Sequence, residues 1–163
     1  GNWMSAFAEQ SLGLPKLVGD LVGPCLFAFS MGIGRVIFSF FGDKVKMERV
    51  LLCFSIFTTL CYVVLALGKN PVINLVAGVL VGFGVSVMWP GSLSLGAKKF
   101  PSGATAMFAI LALFGDLGCS FGPWATGIVA DNSGLNDAFL FGTLFPLTMV
   151  IILLFLNRKK AEK

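Results

Sequence analysis

Asp116 is the only charged residue between positions 102 and 130. As a helix that stretch rises about 1.5 Å per residue, roughly 43 Å in all, which crosses a bilayer with tilt and sets the carboxyl near the midplane. A charge there costs roughly 2.5–3.5 kcal/mol or more, so it is seldom kept without a partner or a task. The neighbours Phe114, Leu117 and Phe121 and the nearby glycines offer no cation. Two kinds of chemistry suit such a group: it can take a proton on one side and release it on the other, or bond a solute hydroxyl or amine. The structural alternative is a hydrogen bond from a protonated carboxyl to a freed backbone carbonyl.

A second constellation is Gly34-Arg35 followed by Gly42-Asp43-Lys44-Val45-Lys46-Met47-Glu48-Arg49. Asp43 suits the backbone donors that open the next helix, while Lys44, Lys46 and Arg49 suit lipid headgroups and carboxylates. Arg35 falls about 9 Å inside its helix end, within snorkelling reach of the interface. Arg35, Asp43, Lys44 and Arg49 can together lock one conformation and release it in another; plain anchoring of the loop is the simpler reading.

Aromatic residues add a third set. Trp3 stands roughly 14 Å along a helix from Leu12, too deep for a membrane-surface belt, and with Asn2 it could stack on a sugar face while the amide bonds a hydroxyl. Trp89 falls about 26 Å along its span, and Trp124 sits near a helix end, where an aromatic belt accounts for it. Pro90 and Pro123 each remove a helical hydrogen bond, and loosened backbone at depth borders a cavity or another helix. The pairs Gly118/Gly122 and Gly78/Gly82, with Gly84, are spaced to let helices approach closely. Cys25, Cys53, Cys61 and Cys119 form no CxxC pair and the chain has no histidine, so neither a metal site nor a cofactor is expected.

The elements that must carry these groups follow from composition. The 163 residues are 56% hydrophobic and 12% charged, with mean hydropathy +0.90. Soluble domains carry about 25% charged residues, and a chain with half that share cannot cover a globular surface in water. Apolar runs at 21–41, 50–67, 72–97, 102–130 and 138–156 are long enough to span a bilayer as helices, and no ten-residue barrel alternation is present. Asn70 and Pro71 read as the cap and first residue of one helix, Ser102 as the cap of the next, and Asn136 or Asp137 as the cap of the last. Short loops make consecutive spans antiparallel neighbours.

Lys44, Lys46, Arg49, Lys98, Lys99, Arg158, Lys159, Lys160 and Lys163 fall on one side, against Lys16 and Lys69 on the other. That asymmetry places the first set, with the tail 157–163, in the cytoplasm of a multi-pass plasma-membrane protein. The net charge of +4 is therefore a topology signal and argues against nucleic acid. Residues 1–12 read as the outer end of a further helix, so the expectation is a fragment that lacks its N-terminal partner.

The order GR, GDK and ER between two helices resembles the loop signature of the major facilitator superfamily in its C-terminal half. Met88-Trp89-Pro90-Gly91-Ser92-Leu93-Ser94-Leu95-Gly96-Ala97-Lys98 resembles the tenth-helix segment of fucose-permease-like sugar transporters. Gly115, Gly118, Pro123, Gly127 and Asp131 match that branch's eleventh helix, and Asn2-Trp3-Met4-Ser5 resembles the end of its seventh. Lys46 stands where the loop usually has glycine, and Asp116 where the sugar-permease pattern has a small residue. The resemblance implies an all-α integral membrane fold over residues 1–163: the C-terminal six-helix half of a twelve-helix bundle, its first helix truncated.

It also implies a secondary transporter that moves a small polar solute, sugar-like and coupled to an ion or proton, with halves rocking about a midplane site. Asp116, Asn2, Trp3 and Trp89 are then the candidates for solute and coupling contacts, and the partners are the solute, the bilayer and the N-terminal half. A membrane-embedded enzyme would need a clustered acid–base or metal constellation, which a single mid-membrane acid and no histidine do not supply. A structural or assembly subunit without transport activity is the remaining alternative.

Overall fold

The computed structural model describes residues 16–41 and 45–161, and all of its regular elements are helical. α1 runs Lys16–Phe41, α2 Met47–Leu67, α3 Pro71–Val85, α4 Met88–Lys99, α5 Ala104–Ser133, α6 Leu135–Gly142 and α7 Leu144–Ala161, with a 3₁₀ turn at Pro101–Gly103. By length and hydropathy they make five membrane-crossing segments, α3 with α4 and α6 with α7 each sharing one. Asn2, Trp3, Asp43 and Lys44 lie outside the described residues.

α2 is the central post, packed against α3, α4, α6 and α7, while α1 packs on α3, and α5 on α4 and α6. Two apolar clusters hold the bundle. At one end Cys61, Leu65 and Ala66 of α2 meet Ala77 and Val81 of α3 and Phe139 of α6. At the other, Met47 and Leu51 of α2 meet Leu153 of α7, with Phe38 and Leu95 against them. The second end carries Lys46, Arg49, Lys98, Lys99 and Arg158 and is called the basic end below. The spans therefore alternate in direction, as short connections require.

Helix α3 opens as its sequence suggests: the Asn70 side chain accepts from the N–H of Val72 at 2.9 Å and of Ile73 at 3.5 Å, with Pro71 at the first turn. Two other caps differ. Ser102 falls inside the 3₁₀ turn, so α5 starts from Gly103 with no side-chain cap. The last span starts from Gly134, whose φ of 96° reverses the chain in one residue, a conformation only glycine adopts freely. Asn136 and Asp137 consequently sit in the first turn of α6, where the Asp137 carboxylate complements the helix dipole.

Two spans expected as single helices are broken. The run 72–97 is interrupted at Ser86 and Val87, and the run 138–156 at Thr143. The cause is the same in both. Pro90 and Pro146 lack an N–H, and their rings crowd the carbonyls four residues back, at Ser86 and Gly142. Thr143 stitches its break by donating its N–H to the carbonyls of Phe139 and Leu140, and its hydroxyl to Phe139. Pro123 leaves α5 continuous.

Candidate functional site

The break in the third span organises the basic half of the bundle. Ser86 and Val87 are fully buried, and the Ser86 hydroxyl donates to the carbonyl of Phe83 at 2.6 Å. Beyond them the ladder restarts with the Gly91 N–H donating to Val87 at 2.8 Å. Gly34 of α1 lies directly on the Ser86 side chain, so α1 crosses at the break with no room for a larger residue. Gly91 packs on Leu51 and Met47 of α2 in the same way. The break is thus clamped from two sides.

Immediately after it comes Trp89, 45% exposed. Trp89 and Pro90 of α4 form a crevice of about 230 Å³ with Arg35 and Phe38 of α1. The benzo ring of the indole meets Gly115 of α5, where an added Cβ would stand 2.8 Å from two ring carbons. Asp116 is the next residue. Three of the residues singled out in the sequence, Arg35, Trp89 and Pro90, therefore share one crevice, while Asp116 is not among its lining residues.

The charges there are sparsely partnered. Arg35 is exposed, and it makes a long donation, 3.9 Å, to the Met31 sulfur one turn back. Asp116 is exposed on α5 and makes no hydrogen bond or ion pair among the described residues, so the proposed bond to a freed backbone carbonyl is not formed. Its neighbours Phe114, Leu117 and Phe121 are exposed with it. Of the side chains described on α5, only Ala125 and Thr126 are buried. Arg49 is exposed at the basic end.

The glycine pairs divide. Gly82 abuts the backbone carbonyl of Phe27, and Gly84 abuts the Thr58 hydroxyl, so the third span is packed through its glycines as their spacing suggests. Gly118 and Gly122 instead have nothing within 4 Å of an added Cβ. They line a second, larger cavity of about 540 Å³ at the end opposite the basic one, with Phe27, Tyr62 and Phe139 among its walls. Sequence reasoning did not single out Tyr62, although it is the one tyrosine in the chain. Trp124 is exposed and tilted against Phe121, ring centroids 5.5 Å apart, as a belt residue would be. Among the described residues no cluster of histidine, cysteine or carboxylate side chains could hold a metal.

The chain is similar to the multi-drug resistance efflux pump PmrA homolog of Lactococcus lactis, 28% identical over 136 residues, covering 83% of this chain and 32% of that protein. It is 29% identical over 131 residues to the multi-drug resistance efflux pump PmrA of Streptococcus pneumoniae, covering 80% of this chain and 32% of the relative. It thus spans about a third of the length of these relatives. No solved structure matches it. The model of the Major Facilitator Superfamily matches residues 2–163, and, with its five apolar spans, the chain belongs to that family of membrane transporters.

Proposed function

We propose that this chain is the C-terminal half of a secondary active transporter that works by alternating access in the plasma membrane, its tail 157–163 in the cytoplasm. The observation that carries the reading is the Arg35–Trp89–Pro90 crevice at the broken third span, whose Trp89 touches Gly115, the residue before Asp116. Interrupted helices at depth are where transporters place solute and ion contacts, because loosened backbone is tolerated only beside a cavity or other protein. Arg35, Asp116 and the half-exposed Trp89 supply a cation, an acid and a ring face without satisfying one another. Asp116 carries the coupling proton. Arg35, with Asp43, Lys44 and Arg49, biases the inward- and outward-open states at the basic end.

The solute we favour is a small, largely apolar molecule carried outward, since the crevice walls are mostly ring and hydrocarbon and the relatives bear efflux-pump names. A sugar-like solute is the second reading, supported by the exposed face of Trp89, which suits the C–H face of a pyranose. The missing N-terminal half of the same polypeptide would complete the cavity in either case.

The test uses the full-length protein in proteoliposomes under an imposed pH gradient, with ethidium and a labelled hexose as alternative solutes. Uphill movement of one of them that is lost in Asp116→Asn, with insertion intact, is the expected result, because the amide keeps shape and a donor but cannot titrate. Wild-type accumulation and pH dependence in that variant would remove Asp116 from coupling. If the wild-type protein moves neither solute, the structural-subunit alternative takes over.

A further inference from the structure

Helix α2 and the broken third span run antiparallel through a series of close contacts. The Asn74 side-chain amide donates to the Gly68 carbonyl at 2.8 Å, Gly84 abuts the Thr58 hydroxyl, and Gly91 packs on Leu51. Ser55 comes three residues before Thr58, and Val87 three residues after Gly84. The contacts on either side therefore set Ser55, on the Leu51–Thr58 face of α2, opposite Ser86 and Val87, the two residues of the break. All three are fully buried.

Two unmet polar groups fall at this level. The hydroxyls of Thr58 and Thr59 on α2 donate to carbonyls one turn back, each at 2.8 Å, and those of Ser86 and Ser92 donate to Phe83 and Met88, each at 2.6 Å. The Ser55 hydroxyl does not follow them: it is buried and has no hydrogen-bond partner among the described residues. On the facing span Pro90 has no N–H, so the Ser86 carbonyl lacks its helical donor. Each unmet group raises the energy of this packing, and one bond between the two would satisfy both. Close packing alone asks only for a small residue at 55, which alanine supplies without a buried hydroxyl.

We propose that Ser55 is the latch of a joint at the break: its hydroxyl donates to the Ser86 carbonyl in a second packing, in which α4 has turned on Ser86 and Val87. The ladder is already altered there, since the Ser86 N–H bonds three residues back, to Phe83 at 3.2 Å. Trp89 and Pro90 lie in the first turn of α4, so the same turn moves one wall of the Arg35 crevice and shifts the indole on Gly115. A bond made in one packing and missing in the other is the differential interaction that a two-state element needs. Removing the hydroxyl relieves the present packing and weakens the second. The latch acts whichever solute crosses, and it is read at the joint, so its failure leaves the transport reading untouched.

Val87→Cys, in the full-length protein with its native cysteines replaced and held in lipid nanodiscs, reports the joint. A thiol buried there reacts with methyl methanethiosulfonate only while the joint is turned, so the rate follows the population of the second packing. Ser55→Ala should slow the reaction about tenfold. Thr58→Val, which removes a hydroxyl already bonded to the Phe54 carbonyl, should change it less than twofold. Pro90→Ala gives the Ser86 carbonyl a helical donor and so takes away the acceptor of the latch. In that background Ser55→Ala should have no further effect. Hydrogen exchange over residues 83–92, on the same Ser55 and Pro90 variants with Val87 intact, should repeat the pattern: slower exchange in Ser55→Ala, and no added slowing in the Pro90→Ala background. Unchanged reaction and exchange in Ser55→Ala would overturn the latch, and a faster reaction would overturn it by showing that the hydroxyl holds the present packing. An equal effect of Ser55→Ala in both backgrounds would overturn the pairing with the Ser86 carbonyl.

Discussion

The benzo ring of Trp89 rests on the backbone of Gly115, with two ring carbons 2.8 Å from where a Cβ would stand. This contact joins the broken third span to α5 one residue from Asp116. A side chain at 115 must push the indole aside, toward the crevice it shares with Arg35. Gly115→Val should therefore shift Trp89 emission and lower transport by the full-length protein about tenfold, with membrane insertion unchanged. Tryptophan fluorescence in a variant keeping Trp89 alone, read beside transport, checks this. Normal transport with a shifted emission would reduce the contact to packing.

Pro90 maintains the break at Ser86 and Val87. Pro90→Ala restores the missing donor to the Ser86 carbonyl and removes the ring clash, a change worth about 3 kcal/mol in helix terms. The expected outcome is a continuous helix from α3 into α4, slower amide exchange at residues 86–90, a higher Tm and a lower turnover. Hydrogen exchange by mass spectrometry, with transport measured on the same sample, decides it. Unchanged exchange across 86–90 would mean that packing by Gly34 and Gly91, and not the proline, holds the break.

Glycines on α3 and α5 should respond in opposite ways to the same substitution. Gly82 faces the Phe27 backbone, which cannot move cheaply, so Gly82→Leu should cost more than about 3 kcal/mol and abolish stable expression. Gly122→Leu meets nothing at Cβ and removes a poor helix former, so it should leave stability unchanged or raise it by up to about 1 kcal/mol. Thermal unfolding of the two purified variants in detergent makes the comparison.

Orientation follows from the basic end. Ser133 lies at the opposite end, at the close of α5. In a background without native cysteines, Ser133→Cys in sealed right-side-out vesicles should react with a membrane-impermeant maleimide, and a cysteine placed in the tail 157–163 only after permeabilisation. The reverse pattern would invert the topology.

Much of this architecture was readable from the chain alone. In a bilayer every backbone group must be satisfied within its own segment, so length and hydropathy suffice to mark the spans, and a local signal such as Asn70-Pro71 suffices to start one. The third-span break could be anticipated from Pro90, and Pro146 carried the same signal for the fifth, which went unread. What only the tertiary structure decided is which face of each helix meets protein. Lipid and a protein interior are equally apolar, so hydropathy does not distinguish a packed face from an exposed one. Gly82 and Gly118 look alike in sequence, yet one is pressed on Phe27 and the other opens on a cavity. Asp116 reads as a residue to be buried, yet it is exposed, while Tyr62 becomes a cavity wall. The rotation of each helix about its own axis is set by partners distant in the chain, and Trp89 meets Gly115 only because α4 and α5 are clamped in register by the residues around them.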